Sequence, residues 1–320
     1  MAGGIGWLDP SGRLKQILHR DAANRFISDH YGHRASPLAV LGKGEWSQAY
    51  AFTLDGQDAV ARFGLHGEDF AKDQLMSGFR SPRLPIPKVW EVGETPQGYF
   101  AVSERFHGVL LDDLDASRLR LVLPDLLAVL DAVREIDVSD REGYGGWSPN
   151  GTGAHRTWRE ALLKIADDQR LPGWRAALEG SSTGAGPYDS ALARLRALAA
   201  EIPDVKQVIH GDLLYHNVLV EGPQVSAIFD WGNSLYGDSL YDAAWLIYWW
   251  PWYPAWAEID IRAELDRHWA SKGAVPDDLE YRLRCYQLRI GLDAMTYTAF
   301  TARWDDLARN AKQTLALAAD

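Results

Sequence analysis

The sequence predicts an α+β fold in two lobes, a small strand-rich lobe at residues 1–106 and a larger helical lobe at 107–320. Short apolar runs crowd the first third of the chain, and long helical patterns take over after Gly108. The length of 320 residues exceeds what one small core needs and suits two lobes with a cleft between them.

Leu14, Leu18, Ala22 and Phe26 recur near helical spacing and predict an opening helix from about Leu14 to Tyr31. Five short strands are expected next, at Leu38–Leu41, Tyr50–Phe52, Val60–Phe63, Lys88–Val92 and Phe100–Val102. Asp55-Gly56 supplies a hairpin turn between the second and third. Gly67 to Phe79 reads as one helix, ended by Pro82 and Pro85. Beyond the link at Glu104 to Gly108, helices are expected at Ser117–Ile136, Arg156–Asp167 and Tyr188–Glu201. Two short strands follow at Val218–Val220 and Ala227–Phe229, and from Asp238 onward the pattern is almost wholly helical.

Hydrophobic residues at 47% and charged residues at 24% are ordinary for a globular chain, so disorder is not the expected state. A formal net charge of −11 argues against a nucleic-acid partner, whose phosphates need a basic surface. The same charge suits a cationic small molecule drawn to an acidic cleft, or else simply aids solubility. Cys285 is the only cysteine, which rules out an intrachain disulfide and fits a small core residue in a long apolar helix. Residues Met1 to Asp9 lack the basic start and apolar run of a signal peptide. The greasiest stretch, Trp245 to Trp256, falls short of a bilayer span and is broken by Pro251 and Pro254. No membrane partner and a cytoplasmic location are therefore expected.

The chemistry concentrates in His210-Gly211-Asp212-Leu213-Leu214-Tyr215-His216-Asn217, followed by Ile228-Phe229-Asp230-Trp231. Phosphoryl transfer needs a carboxylate to orient and deprotonate the attacking hydroxyl, and a divalent metal to neutralise phosphate charge. Magnesium takes oxygen ligands and keeps several waters, so one carboxylate and one amide carbonyl suffice from the protein. Asp212, Asn217 and Asp230 supply that set in the spacing Asp-x4-Asn with a later Asp at a strand end. Taken singly, each is as well explained as a turn or capping residue; in this order they point to a kinase-type site.

With Gly237-Asp238-Ser239-x2-Asp242 after it, this pattern resembles the aminoglycoside phosphotransferase family, from about Leu41 to Ala299. Leu84-Pro85-Ile86-Pro87, Thr157-Trp158-Arg159, Trp249 to Trp252 and Arg289-Ile290-Gly291-Leu292-Asp293 resemble the branch of that family that modifies hygromycin B. The resemblance implies a protein-kinase-like fold, ATP or GTP as donor, Mg2+ as cofactor and a cationic aminoglycoside as acceptor. It implies Asp212 as catalytic base, Asn217 and Asp230 as metal ligands, and His210 as a brace for the loop. Asp238 and Asp242 are expected to be structural, capping and anchoring the next helix.

The nucleotide side is less regular. Gly42, Gly44 and Ser47 belong to a turn that could cover phosphates, although it lacks a third spaced glycine and also reads as an ordinary hairpin. Arg62 stands where kinases place a phosphate-pairing lysine; Asp73 is its expected partner, with Glu68 and Asp69 as rivals. The resemblance places the nucleotide base near the backbone of Glu104 and Phe106. Four of the fourteen tryptophans stand at Trp249, Trp250, Trp252 and Trp256. Trp249 and Trp252, flanking Pro251, are the candidates for a platform under a sugar ring or a cation, against core packing as the plain alternative. Asp293 is the candidate acid for an acceptor amine. A metabolic kinase acting on choline, homoserine or a sugar, and a nucleotide-binding module without turnover, are the competing readings.

Overall fold

The computed structural model describes residues 18–43, 47–167, 171–214, 216–273 and 275–319. Helix α1 (Arg20–Tyr31) leads into strands β1 (Ala39–Lys43), β2 (Ser47–Leu54) and β3 (Gln57–Gly64), then helix α2 (Gly67–Ser77) and strands β4 (Val89–Thr95) and β5 (Gly98–Glu104). Strand β6 (Val109–Leu110) precedes α3 (Ala116–Arg134), strands β7 (Tyr144–Trp147) and β8 (Gly153–His155), and helices α4 (Trp158–Leu163), α5 (Trp174–Gly180) and α6 (Gly186–Leu198). Strands β9 (Gln207–Ile209), β10 (Val218–Glu221), β11 (Gln224–Ile228) and β12 (Leu235–Gly237) come next. Helices α7 (Leu240–Trp249), α8 (Ile261–Ser271), α9 (Leu279–Phe300) and α10 (Trp304–Ala319) follow.

These elements form two compact units. The first runs to Val109 and also takes in Val218–Glu221 and Val225–Gly232; the second holds Leu110–Asn217, Gly222–Gln224 and the chain from Asn233. The division is therefore not one cut after residue 106. Segment 225–232 is tied to the strand-rich unit by hydrogen bonds from Ile228 N to the Pro85 carbonyl at 2.9 Å and from Ser226 Oγ to the His107 carbonyl at 3.0 Å.

In the first unit, β1 to β5 make an antiparallel sheet in the order β1-β2-β3-β5-β4. Strands β2 and β3 pair through to Leu54 and Gln57 across Asp55-Gly56, whose φ angles of 51° and 78° match the twist of a two-residue hairpin. Helix α1 covers one face, where Ile27 is buried with Tyr50, Phe52, Phe63, Phe100 and Val102. The helix is described from Arg20; positions 14–17 of the expected element lie outside the described residues. Side chains alternate along β3, so Ala59, Ala61 and Phe63 enter this core and Arg62 falls on the opposite face. There its guanidinium carbon stands 5.1 Å from the ring centre of Phe70 on α2.

In the second unit, short strands make a sheet in the order β8-β7-β12-β9. Its helices pack around α9, whose Leu283, Cys285, Leu288, Ile290, Leu292 and Met295 are all buried. Burial pushes the Cys285 thiol up to about 12, so it is a core residue and no nucleophile. The tryptophan run ends α7 in two 3-10 turns, Trp250–Trp252 and Pro254–Trp256, because Pro251 and Pro254 cannot continue an α-helix. Among the described residues, no helix is long and apolar enough to cross a membrane.

Candidate active site

The loop 210–217 belongs to the second unit and connects β9 to β10. His210 is fully buried, and its Nδ1 accepts a hydrogen bond from the Asp212 backbone N–H at 3.3 Å, so the imidazole supports the loop from beneath. Asp242 lies in the first turn of α7 and does not cap it. Its Oδ2 accepts from His210 N and its Oδ1 from Gly211 N, each at 2.8 Å. Burial pushes this carboxyl up to about 7, against the pull of the two amide donors. The helix end is secured by Asp238 instead, whose Oδ1 accepts from Leu240 N at 3.1 Å. Its Oδ2 takes Arg282 Nε at 2.7 Å and the Tyr286 hydroxyl at 2.5 Å.

These anchors yield a testable consequence. Asp242→Ala orphans two buried backbone donors, each costing roughly 1–3 kcal/mol. Urea denaturation should therefore show a loss of at least about 2 kcal/mol with turnover falling alongside, since the same bonds hold the loop. An unchanged midpoint would mean that the loop is held by other contacts.

Asp212 is half-buried, and its Oδ2 accepts from Asn233 Nδ2 at 3.1 Å. Asn217 donates its own Nδ2 to the Asp212 carbonyl at 2.7 Å, which spends the amide nitrogen on the loop and makes Oδ1 the atom that could hold a metal. Just before it, His216 adopts a left-handed φ of 71°. Asp112 secures that unfavourable conformation, accepting from His216 N at 2.6 Å and standing 3.1 Å from its Nδ1. Gly211 is also left-handed, at φ 77°, and a Cβ there would lie 2.7 Å from the Asn233 carbonyl oxygen. Only glycine fits on both counts.

The first unit holds a second constellation. Arg62 pairs with Asp73 Oδ2, while Asp73 Oδ1 accepts from Trp231 N at 2.7 Å. The preceding residue on α2, Lys72, donates to the Gly232 carbonyl at 2.7 Å. Two adjacent α2 side chains thus grip the backbone immediately after Asp230, itself left-handed at φ 67°. Burial pushes the Asp230 carboxyl up to about 6; Asp73 and Asp69 add to the rise and Arg62 opposes it. For Arg62, burial alone would lower the guanidinium, but Asp73, Asp230 and Asp69 more than offset it. Asp69, the rival partner for Arg62, instead lies against Gly232, its carboxyl carbon 2.9 Å from where a Cβ would be.

On the expected nucleotide side, Gly42 lies near the end of β1 with its carbonyl accepting from the Gln48 side chain, and Ser47 opens β2 opposite Gly64. Gly44 lies outside the described residues. The Glu104 amide already donates to the Lys88 carbonyl at 2.9 Å. Phe106 has no backbone–backbone hydrogen bond among the described residues.

The tryptophans divide. Trp249 is 7% exposed and packs against Trp245, Tyr248 and Trp252, which makes it a core residue with no open face. Trp252 is half-buried; its Nε1 donates to Gln313 at 3.0 Å and its ring carries the Arg309 guanidinium 4.0 Å from its centre. Asp293 is half-exposed, 3.5 Å from Arg289.

Asn233, Lys72 and Asp112 escaped the sequence reading. A small polar residue in a turn or a lysine on an amphipathic helix carries no mark of its partner. The one usable signal was the nearness of Asn233 to Asp230 and of Lys72 to Asp73.

Comparison with known proteins gives a consistent result. A model of the phosphotransferase enzyme family matches residues 38–275. Hygromycin-B 4-O-kinase of Escherichia coli is 33% identical over 296 residues, covering 92% of this chain and 84% of that protein. The crystal structure of aminoglycoside phosphotransferase APH(4)-Ia superposes with a TM-score of 0.82 at 31% identity, over 93% of this chain and 97% of the other. A thermostable mutant of that enzyme, in ternary complex with AMP-PNP and hygromycin B, gives 0.81 at 31% identity over 92% and 97%.

Proposed function

The chain belongs to the phosphotransferase enzyme family, and from that premise we propose that it phosphorylates a hydroxyl of an aminoglycoside, with hygromycin B as acceptor and ATP as donor. The observation that carries the chemistry is the 210–217 loop. His210 is sealed beneath it, Asn217 is oriented by its own amide, and Asp212 is a half-buried carboxylate held on the same loop.

In the proposed reaction Asp212 accepts the proton of the acceptor hydroxyl as that oxygen bonds to the γ-phosphorus. The bond from γ-phosphorus to the β,γ-bridging oxygen breaks, and ADP leaves with the electron pair. Arg62, locked by Asp73, is the fixed cation for the donor phosphates. Phe106 offers its backbone to the nucleotide base, while Gly42 and Ser47 border the phosphates.

Asp230 and the Oδ1 of Asn217 would hold Mg2+. Both are oxygen donors, and Asp230 is crowded by Asp73 and Asp69, a setting that a cation would relieve. Bound there, the metal supplies charge neutralisation for the transferring phosphate.

Mass spectrometry of an aminoglycoside panel with enzyme, Mg2+ and ATP or GTP tests the reading; a single added phosphate on hygromycin B is the expected result. Turnover of choline or homoserine but of no aminoglycoside would hand the case to a metabolic kinase. For the acceptor site, Trp252 and Asp293 are the proposed contacts, with Trp249 supporting Trp252 from the core. Trp252→Ala should raise KM for hygromycin B about tenfold and leave KM for ATP within about twofold, the scale of a lost aromatic platform. Equal changes in both would remove Trp252 from the acceptor site.

A further inference from the structure

We propose that Asn233 is a positioning residue for the catalytic carboxylate: its side-chain amide holds Asp212 Oδ2 and so sets the orientation in which the carboxylate meets the acceptor hydroxyl. This rests on the reading of Asp212 as the base. Two contacts carry it, both inside the second unit. The Asn233 Nδ2 donates to Asp212 Oδ2 at 3.1 Å, and the Asn233 carbonyl backs onto Gly211 so closely that a Cβ would stand 2.7 Å away. One residue therefore constrains both the carboxylate and the backbone on which it is mounted.

The chemistry of the amide suits the task. A carboxylate swings about two torsions, and an unheld one spends much of its time with neither oxygen correctly placed. An amide N–H occupies one oxygen without offering a proton that could be transferred. It also favours the charged form, which is the form that accepts a proton. A lysine or arginine there would hold the oxygen more strongly but weaken its basicity; an aspartate would repel it. The neutral donor fixes geometry at little cost to base strength.

The role predicts an effect on kcat and not on binding. Asn233→Ala should lower kcat about tenfold, the scale of one hydrogen bond to a charged group. KM for ATP and hygromycin B should stay within about twofold, with the melting temperature unchanged. Asn233→Asp, which substitutes a negative charge for the donor, should lose more. Asn233→Gln keeps the amide donor and should recover part of the loss. Should the alanine variant prove unstable, the glutamine and aspartate variants still order the effect by donor and charge.

The deciding measurement is the pair with Asp212→Asn. Once the carboxylate is gone, Asn233→Ala should cost almost nothing further in residual turnover, because nothing remains for it to position. Independent, multiplying losses would overturn the proposal, as would a change confined to KM or a kcat within about twofold of the parent. If Asp212→Asn itself keeps its activity, the reading of the base fails. If Asp212→Asn is inert and Asn233→Ala is fully active, only the role of Asn233 fails.

Discussion

Asp212→Asn is expected to leave a folded, nucleotide-binding protein with almost no turnover. The substitution keeps size and the backbone contacts, because the bonds from Asn217 and from His210 reach the main chain of residue 212 and not its carboxylate. What disappears is the proton acceptor, a loss of roughly a hundredfold to ten-thousandfold in rate. Steady-state turnover together with calorimetric titration of nucleotide separates the two properties. More than a few per cent of the parent activity would mean that another group takes the proton.

Asp230→Asn should show the opposite division. Nucleotide affinity in the presence of magnesium is expected to fall by about a hundredfold, the scale on which disturbing a metal's supporting contacts acts. Affinity without magnesium and binding of the acceptor should hardly move. The bare protein should not be weakened either, since the neutral amide removes repulsion from Asp73 and Asp69. Titrations with and without the metal, beside a melting curve, test this; an unaltered magnesium dependence would take Asp230 out of the metal site.

The fold was legible where local signals were strong. The five strands of the first sheet, the Asp55-Gly56 turn and α2 each follow from alternation, turn chemistry or proline stops, and the structure forms all of them. The second unit was harder. Strands β7, β8, β9 and β12 are three or four residues long, and glycine stands within Tyr144-Gly145-Gly146-Trp147 and Leu235-Tyr236-Gly237. Their stability comes from pairing with distant segments, which no periodicity records.

The site divides similarly. Asp212, Asn217 and Asp230 stand out because spacing and residue type together specify a chemistry. Trp249 and Trp252 look alike in sequence, and only packing separates the buried ring from the half-buried one. Asp242 looked like a helix cap but turns its carboxylate back to the loop, a direction that its position beside a helix start could not reveal.

The close approach of Gly211 to the Asn233 carbonyl bears on how such enzymes can diverge. The glycine in His-Gly-Asp is required by a peptide group twenty-two positions later, as well as by its own φ of 77°. A duplicated copy drifting toward a new substrate can rebuild its acceptor pocket freely, but neither segment can shift alone without displacing the base. A change at residue 211 is therefore felt at Asn233, and a shift of Asn233 is felt at the loop that carries Asp212. In this loop conformation a bulkier residue at 211 would have to displace the Asn233 peptide, and with it the seat of Asp212.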